Sequence, residues 1–575
     1  MDNTLSLSGL WSLRPADPDK AEKYTDYFKD GRILEVDTQN SIYTELVAGG
    51  VINEKIRFIS DLEWILSRTF KCERNCDRYC LKVRNAKDIH INGNTIDSFD
   101  ITDYLHDGDN TIEITVSSSF RGDSIELCSS CSGVIYSANL KPVQVDDHWH
   151  IKVEIDYESF KKQTLKARIE LEGHVVEEEL TFGKGRETRY TYLDIPTDDV
   201  ELWNVIAEGK QKTYIAYLTL GDTTLERTVA FRNIQVSPDG IIANGKPIFY
   251  RGALWPISIH PDRRRYEELL AAVANGYMNC LLIEKGHETH TFYKIADRMG
   301  IIVLHEDYDP AYSYHPSYVY GNFQAEVFEA GNGHFNSYYE EICSAALLER
   351  WVLRTRCDES KGVLYDNLLS TVTKDGAWWA GHFAARRFFA GLVPVMYRDG
   401  DNVEVYISND TEREEEVDLS VKFLAFNGTK KKKHIYETVV PPETSKKVAS
   451  IDISRIDTKN EFAYIKMRTR SLHREFTLLL EDDFRLCNLE DPRIEFKVRE
   501  INPRSFEIHL KSTKPAFGIL LQAEGIEGTF SDGFFEVRPS SDKSVIFTPH
   551  RDITQRELED SLRIESLFTA RLELL

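Results

Sequence analysis

The chain has 575 residues, which is too long for one hydrophobic core and predicts about four or five domains of roughly 100–150 residues each. Its net charge of −23 argues against nucleic acid and anionic membrane surfaces as partners, because both are polyanions. Hydrophobic residues make up 41% of the chain and charged residues 29%, and no apolar run approaches the roughly 20 residues of a transmembrane helix, so no membrane association is expected.

The first residues, MDNTLSLSGLWSLRP, lack the basic and apolar stretches of a secretory signal peptide, so a cytoplasmic location is expected. Nine cysteines, an odd number in a long chain, favour reduced thiols over a disulfide framework. Cys72, Cys76 and Cys80 do not have the spacing of a zinc knuckle, although Cys128 and Cys131 form a C-x2-C pair. We therefore expect no metal and no cofactor.

Residues 1–135 and 136–238 are each predicted to form a β-sandwich. In the first, KDIHINGNTI predicts a hairpin that turns at Asn92 and Gly93. TDYLHDGDNTIEITV predicts a turn followed by an alternating strand. In the second, HWHIKVEIDY and QTLKARIELEG alternate between apolar and polar residues, with turn signals at the intervals typical of a sandwich.

Strands and helices alternate between residues 239 and 392. FYRGAL, NCLLIEKG, IIVLHED and GVLYDNLLS predict strands, whereas RRRYEELLAAVANGY, HFNSYYEEICSAALLERWVLRTR and GHFAARRFFAGL predict amphipathic helices. Residues 393–480 and 481–575 return to short strands, such as NVEVYISND and RSFEIHLKS. The predicted fold class is therefore multidomain, with β-sandwiches on both sides of an α/β unit.

This domain order and several local motifs resemble the family 2 glycoside hydrolases, and among them the β-mannosidases. SLSGLWSL opens the chain as those enzymes open, and FDITDYLHDGDNTIEITV is similar to a stretch of their first domain. ANGKPIFYRGA resembles the entry into their barrel, GHFAARRFFAGLVP their last barrel helix, and GTFSDGFFEVRPSSDKSVIF their C-terminal domain. The resemblance implies jelly-roll-like and immunoglobulin-like sandwiches around a β/α barrel of the TIM type. It also implies a carbohydrate ligand, either a β-linked oligosaccharide or a glycoside.

The barrel is predicted to be truncated. Eight strand–helix units need about 250 residues, whereas residues 246–392 supply only 147. We expect strands at about 248–253, 279–284, 301–305 and 362–366 to be parallel neighbours that do not form a closed eight-stranded ring.

The resemblance also implies two catalytic carboxyl groups, an acid/base in an Asn-Glu pair and a nucleophile. No Asn-Glu pair lies between the third predicted strand and the last unit. NFQAEVFEAG is similar to the nucleophile motif and places Glu326 at the nucleophile position, and Glu306 is the candidate acid of a rearranged pair. Leu282 and Glu284 stand where the β-mannosidases have an Arg and a Trp, so the residues around the site differ as well.

Five further residues are candidates for substrate binding: Trp255, His287, Asp307, Asp366 and Trp378. His287 and Asp307 follow neighbouring predicted strands, where a cluster of His and carboxylate residues could do acid/base chemistry or bind a divalent metal. Alternatively, these are solvated residues at loop ends without a functional role, which explains the same pattern. The Trp rings could stack on a sugar, and covering the core of a shortened barrel explains them equally well.

Two functions stay open on this basis. The chain is either a β-mannosidase-like homologue that has lost standard glycosidase activity and acts as a carbohydrate-binding or scaffold protein, or an active exo-acting β-glycosidase with a rearranged carboxylate pair. The segment 308–345 is rich in tyrosine and phenylalanine. We expect its rings to pack over the shortened barrel or against a second copy of the chain in a homo-oligomer.

Overall fold

The structure of the protein, a computed structural model, describes residues 4–52, 62–76, 78–83, 86–118, 120, 125–130, 133–221, 223–237, 240–256, 263–284, 286–309, 312–321, 326–328, 335–358, 362–373, 378–539 and 541–573. Over these ranges the chain forms β-sandwiches on both sides of an α/β unit, as the sequence predicts. None of the helices within them is both long and apolar enough to cross a membrane.

The first unit is a β-sandwich whose six-stranded sheet packs around Trp11 and Trp64, which are both almost fully buried. Asn92 (φ 49°) and Gly93 (φ 82°) both adopt the left-handed conformation of a tight hairpin turn, which confirms the predicted hairpin. The elements of this unit are β1 (Thr4–Ser6), β2 (Leu10–Pro15), α1 (Pro18–Ala21), β3 (Leu34–Asp37), α2 (Ile42–Ala48), β4 (Glu63–Cys72), β5 (Arg78–Lys82), β6 (Asp88–Ile91), β7 (Asn94–Ile96), β8 (Gly108–Ser117) and β9 (Glu126–Ser130). The sheets run β3-β2-β4-β8-β6-β7 and β1-β9-β5.

The second unit pairs a three-stranded sheet with a four-stranded one around Trp149, Tyr157 and Phe231. Its strands are β10 (Gly133–Val145), β11 (His148–Ser159), β12 (Gln163–Leu171), β13 (His174–Phe182), β14 (Gly185–Pro196), β15 (Tyr214–Leu220) and β16 (Thr223–Val229). The sheet orders are β10-β11-β14 and β13-β12-β15-β16. A small antiparallel sheet follows, made of β17 (Ile234–Ser237), β18 (Gly240–Ala243) and β19 (Lys246–Ile248), which we call the hairpin sheet.

The α/β unit is built on a parallel sheet with the strand order β23-β22-β21-β20-β25-β24. Its elements are β20 (Tyr250–Leu254), α3 (Arg263–Asn275), β21 (Cys280–Ile283), α4 (His290–Met299), β22 (Ile302–His305), β23 (Tyr318–Tyr320), β24 (Glu326–Phe328), α5 (Tyr338–Thr355), β25 (Gly362–Tyr365) and α6 (Ala380–Phe388). The four predicted strands are parallel neighbours, which confirms the expectation, although the first begins at Tyr250 because residues 246–248 belong to the hairpin sheet. As far as the described residues extend, β23 and β24 are the two ends of this sheet and do not pair with each other.

Both faces of the parallel sheet are buried, and the side chains of successive strand residues point alternately to one face and the other. Leu281, Ile283 and Val303 belong to the core that contains the apolar residues of α3 and α4, so we call this side the helix face. Leu282 and Leu304 belong to a second core that includes residues of the hairpin sheet and Trp203 of the second unit, so we call this side the hairpin face. In a closed barrel the side away from the helices is the interior, so the hairpin face corresponds to it.

Two further sandwiches complete the chain. The first contains β26 (Leu392–Asp399), β27 (Asn402–Asn409), β28 (Glu415–Ala425), β29 (Lys430–Val440), β30 (Thr444–Asp452), β31 (Glu461–Arg468) and β32 (His473–Leu479), in sheets β26-β27-β30 and β29-β28-β31-β32. The last contains β33 (Glu495–Asn502), β34 (Ser505–Lys511), β35 (Ala516–Ala523), β36 (Gly528–Phe530), β37 (Phe535–Val537), β38 (Lys543–Pro549), α7 (Gln555–Ser561), β39 (Leu562–Glu565) and α8 (Leu567–Leu572). Its sheets run β33-β34-β38-β36 and β37-β35-β39.

A buried arginine connects the α/β unit with the following sandwich through hydrogen bonds and an ion pair. Arg356, just after α5, donates hydrogen bonds to the carbonyl oxygens of Phe388 and Ala390 and to the hydroxyl of Ser408. It also forms an ion pair with Asp410 at 2.7 Å, and its side chain is fully buried. Because one guanidinium bonds groups from both units, these units are packed directly on one another.

Candidate functional site

Three carboxyl groups lie at the carboxyl ends of the parallel strands on the hairpin face. Glu284, Glu306 and Asp366 each stand two residues beyond a leucine of the second core, namely Leu282, Leu304 and Leu364. Side chains two apart along a strand point to the same side, so the alternation of these strands, continued past their last residues, predicts that the three carboxyl groups lie on the hairpin side. Glu284 and Glu306 are exposed and Asp366 is half-buried. We call these three residues the acidic rim.

The register of the sheet places two members of the acidic rim side by side. Leu282 pairs with Leu304 across β21 and β22, so Glu284 and Glu306 leave adjacent strands at the same level, with a backbone spacing of about 4.8 Å. Asp366 follows β25, which is two strands from β21. In the sequence, Glu284 differs from the β-mannosidases only in standing where they have a Trp. Its position beside Glu306 depends on strand register, which the sequence alone does not determine.

On the helix face, the same strand ends carry a stack of aromatic rings. His287 lies parallel to Tyr312, with ring centres 4.9 Å apart, and parallel to His305 at 4.8 Å. The ring of Tyr318 stacks on His305 at 4.7 Å. Tyr293 of α4 bonds His305 Nε2 through its hydroxyl at 2.9 Å. We call these five residues the ring cluster.

Burial keeps the histidines of the ring cluster neutral. Burial, with a smaller contribution from the neighbouring His287, lowers the pKa of His305 to about 3. Burial also lowers the pKa of His287, against the opposing effect of nearby Asp309 and Asp307. A neutral His305 can accept the Tyr293 hydroxyl hydrogen at Nε2.

A second layer of polar side chains supports the ring cluster. Asp297 of α4 accepts hydrogen bonds from His315 Nδ1 at 2.7 Å and from the backbone of Ser317 at 2.8 Å. His315 Nε2 lies 3.2 Å from Nδ1 of His290. Arg232 donates to the carbonyl of Tyr318 at 2.8 Å, and burial lowers the pKa of its guanidinium to about 10. These contacts fix the segment 312–321 over the helix face.

The ring cluster confirms part of the expectation for the aromatic segment. Tyr312 and Tyr318 pack on the helix face of the sheet, and residues 315–319 are all buried. Tyr308 and Tyr320 are more than half exposed and pack edge-to-face on each other at 5.6 Å. Part of the segment therefore covers the flank of β22 as predicted, and two of its tyrosines remain at the surface.

The structure separates the candidate residues that the sequence placed together. Glu306 and Asp366 belong to the acidic rim, whereas His287 belongs to the ring cluster. The exposed Asp307 accepts a hydrogen bond from the Tyr318 hydroxyl through its backbone carbonyl. Glu326 is the first residue of β24 and pairs with Val363, two positions before the level of Tyr365 at the end of β25. Glu326 and Glu306 are thus on strands four steps apart in the sheet.

Trp255 and Trp378 are packed against protein side chains. Trp255 is 4% exposed, donates from Nε1 to Glu288 at 3.0 Å and lies against Phe292 at 4.8 Å. Glu288 also accepts a hydrogen bond from the hydroxyl of Tyr266. Trp378 is half-buried and stacks on His382 at 4.3 Å. These contacts favour the core-covering interpretation of both tryptophans over a sugar-stacking one.

Within the described ranges, no group of three or more His, Cys, Asp or Glu side chains is arranged to hold a metal ion. The geometry of these residues therefore does not support the hypothesis that the His and carboxylate residues after the strands bind a divalent metal.

Comparison with known proteins identifies the fold. Residues 401–478 match the model of a mannosidase Ig/CBM-like domain, and residues 489–570 match the Ig-fold domain of the Ig_mannosidase model. The β-D-mannosidase from Dictyoglomus thermophilum superposes with a TM-score of 0.78 at 16% identity, over 98% of this chain and 99% of that one. The exo-chitosanase from Amycolatopsis orientalis gives 0.74 at 12% identity, over 99% of each chain. A family 2 glycosyl hydrolase from Bacteroides cellulosilyticus gives 0.53 at 12% identity, over 96% and 97%.

The chain has the fold of the family 2 glycoside hydrolases of the β-mannosidase type. The resemblance predicted from the sequence is thereby confirmed, since the matches span nearly the whole chain and both mannosidase domain models match the C-terminal half. No curated protein matches the sequence.

Proposed function

We propose that this protein is a β-mannosidase-like homologue without standard glycosidase activity, which binds a β-linked saccharide at the acidic rim. The observation that carries this proposal is the arrangement of Glu284 and Glu306, two exposed residues that directly follow adjacent parallel strands. Carboxylates accept hydrogen bonds from sugar hydroxyl groups.

The same arrangement argues against hydrolysis. A retaining glycosidase places two carboxyl groups about 5–5.5 Å apart on either side of the scissile bond. Glu284 and Glu306 have a comparable spacing along the sheet, but both leave it in the same direction from neighbouring strands. They would therefore contact one side of a sugar and could not flank its glycosidic bond.

The candidate pair that the resemblance implies is also poorly placed. Glu326 stands at the start of β24, whereas the chemistry of β/α barrels is carried past the ends of the strands. The Arg of the related enzymes is replaced by Leu282, which is 6% exposed and cannot donate the forked hydrogen bonds of a guanidinium. Loss of the acid/base and of the arginine, together with the early position of Glu326 along its strand, supports a binding role.

One observation favours the alternative, an active exo-acting β-glycosidase. Strand β24 lies next to β25, which in turn pairs with the first strand of the unit, β20. This is the neighbourhood that a seventh strand has in a closed eight-stranded barrel, so Glu326 is on the strand that carries the nucleophile in the related enzymes. Glu306 would then be the acid.

Two measurements on the purified chain test these functions. Hydrolysis is assayed with a panel of aryl β-glycosides, together with intact-mass analysis after a mechanism-based fluorosugar. Saccharide binding is measured by calorimetry with β-linked mannobiose. We expect background hydrolysis, no covalent adduct and measurable binding.

Two variants assign the binding to the acidic rim. The double variant Glu284→Gln and Glu306→Gln should weaken binding at least tenfold, because hydrogen bonds to charged acceptors contribute about 1.5–3 kcal/mol each. Glu179→Gln is the matched control, an exposed residue on β13 of the second unit. A fluorosugar adduct on Glu326 would establish the active enzyme instead.

A further inference from the structure

A cavity of about 470 Å³ lies where the α/β unit meets the two C-terminal sandwiches. Its walls come from α5 and α6, from β32 and from the segment around β37. The acidic rim contributes no residue to its lining. The volume is within the roughly 300–1,000 Å³ of small-molecule sites, and such sites occur preferentially between domains.

The charged side chains of this cavity balance one another. Its lining contains five acidic residues and five lysines or arginines, so it carries no formal net charge. Arg387 bonds Glu349 in a forked ion pair, with Nε 3.0 Å from the carboxylate. Lys543 pairs with Asp532 at 2.7 Å. Because these charges are already compensated, the cavity favours a neutral ligand.

Two polar groups of the lining have hydrogen-bonding capacity to spare. Nε of Arg474 is buried and has no hydrogen-bond partner within the described part of the chain. Glu536 accepts a hydrogen bond from the hydroxyl of Thr477, and burial raises the pKa of its carboxyl to about 7. Near neutral pH this carboxyl can both donate and accept hydrogen bonds, as a hydroxyl group requires of its partner.

Aromatic rings supply the apolar part of the lining, which includes Phe388, Phe476, Phe484, Phe517, Phe534 and Phe535. A sugar presents apolar C–H faces and a ring of hydroxyl groups at its edge, so it can use the rings and the spare polar groups together. We propose that this cavity binds a neutral saccharide of one or two sugar units, at a site separate from the acidic rim.

The proposal is tested by calorimetry on the full chain with mannose, glucose and β-linked mannobiose. Arg474→Leu and Glu536→Leu should each weaken binding at the cavity about tenfold, because each removes a polar partner of a sugar hydroxyl group and leaves no donor or acceptor in its place. Arg470→Leu is the matched control, since its side chain is 88% exposed in the same sandwich. Thermal melting of each variant verifies that it is folded.

Hydrogen exchange shows where the saccharide binds. Addition of saccharide should slow amide exchange in β32 and in residues 532–538 of the wild type, and much less in Arg474→Leu. In the double variant Glu284→Gln and Glu306→Gln this slowing should persist, because the two sites are independent. Failure of the acidic rim to bind would therefore leave the cavity result unchanged.

The exchange and binding measurements can also contradict the proposal. If no saccharide of the panel slows exchange in β32, or if both cavity variants bind as the wild type does, the cavity contains water only and the proposal is wrong.

Discussion

The ring cluster predicts that acid destabilises the protein through His305. This side chain is 1% exposed, and its pKa is about 3 in the folded chain against an ordinary value of 6.5. As the pH falls below 6.5, the unfolded chain binds a proton at this position and the folded chain does not. The free energy of unfolding therefore decreases with falling pH until the folded imidazole is protonated near pH 3.

The size of the effect follows from the pKa difference. The unfolded imidazole is half protonated at pH 6.5, and the cost approaches about 1.4 kcal/mol for each further pH unit, so the loss between pH 6.5 and 4.5 is about 2.3 kcal/mol. His305→Gln removes the titrating group and keeps an acceptor for the hydroxyl of Tyr293. The variant should be less stable at pH 7, but its stability should depend less on pH by this amount.

The assay is urea unfolding followed by tryptophan fluorescence at several pH values from 7 to 4.5. His148→Gln is the control, because His148 lies exposed on the second unit. Parallel pH profiles for the wild type and His305→Gln would refute the reasoning, since they would mean that His305 is protonated equally in both states. A reduced pH dependence in the control would point to a general effect of histidine loss.

Three further predictions concern other parts of the molecule. Hydrolysis of aryl β-mannosides should stay near background, and a turnover of about 1 s⁻¹ that disappears in Glu326→Gln would contradict this. Arg356→Leu should lower the free energy of unfolding by about 3 kcal/mol, because it removes the closer ion pair of Asp410, which keeps Arg251 at 3.8 Å, and the hydrogen bonds to two buried carbonyl groups. Arg354→Leu on the exposed side of α5 should cost about 1 kcal/mol or less in the same urea titration, and equal losses would be inconsistent with the buried ion pair. Amide exchange over 312–321 should be slow in the free protein, and fast exchange throughout would mean that the ring cluster does not hold this segment.

The sandwiches could be predicted from the sequence because their signals are local. Alternation in β8 buries Ile112, Ile114 and Val116 on one face, each at 1% exposure or less. The hairpin at Asn92 and Gly93 needs only the conformational preferences of those two residues. The parallel strands could be predicted equally well, since short apolar runs between helices indicate them.

The candidate site was harder to predict from the sequence because it depends on pairing between distant segments. Within the described residues, strands β23 and β24 have three residues each, which is too short for any period to appear in the sequence. Glu284 and Glu306 become neighbours only through the register of β21 and β22. His287 and Asp307 looked equivalent to Glu306 in the sequence, but a one-residue offset along a strand places a side chain on the opposite face.

The two faces of the parallel sheet carry different kinds of side chain at the strand ends. On the helix face the rings exclude water, and the same burial that lowers the pKa of His305 would raise that of any carboxyl group placed there. On the hairpin face Glu284 and Glu306 are reached by water. We therefore expect a ligand that needs carboxyl groups to bind on the hairpin face, whereas the rings cover the flank of the parallel sheet. Substitutions in the ring cluster should accordingly change stability and its dependence on pH, whereas substitutions in the acidic rim should change ligand binding and leave stability nearly unaltered.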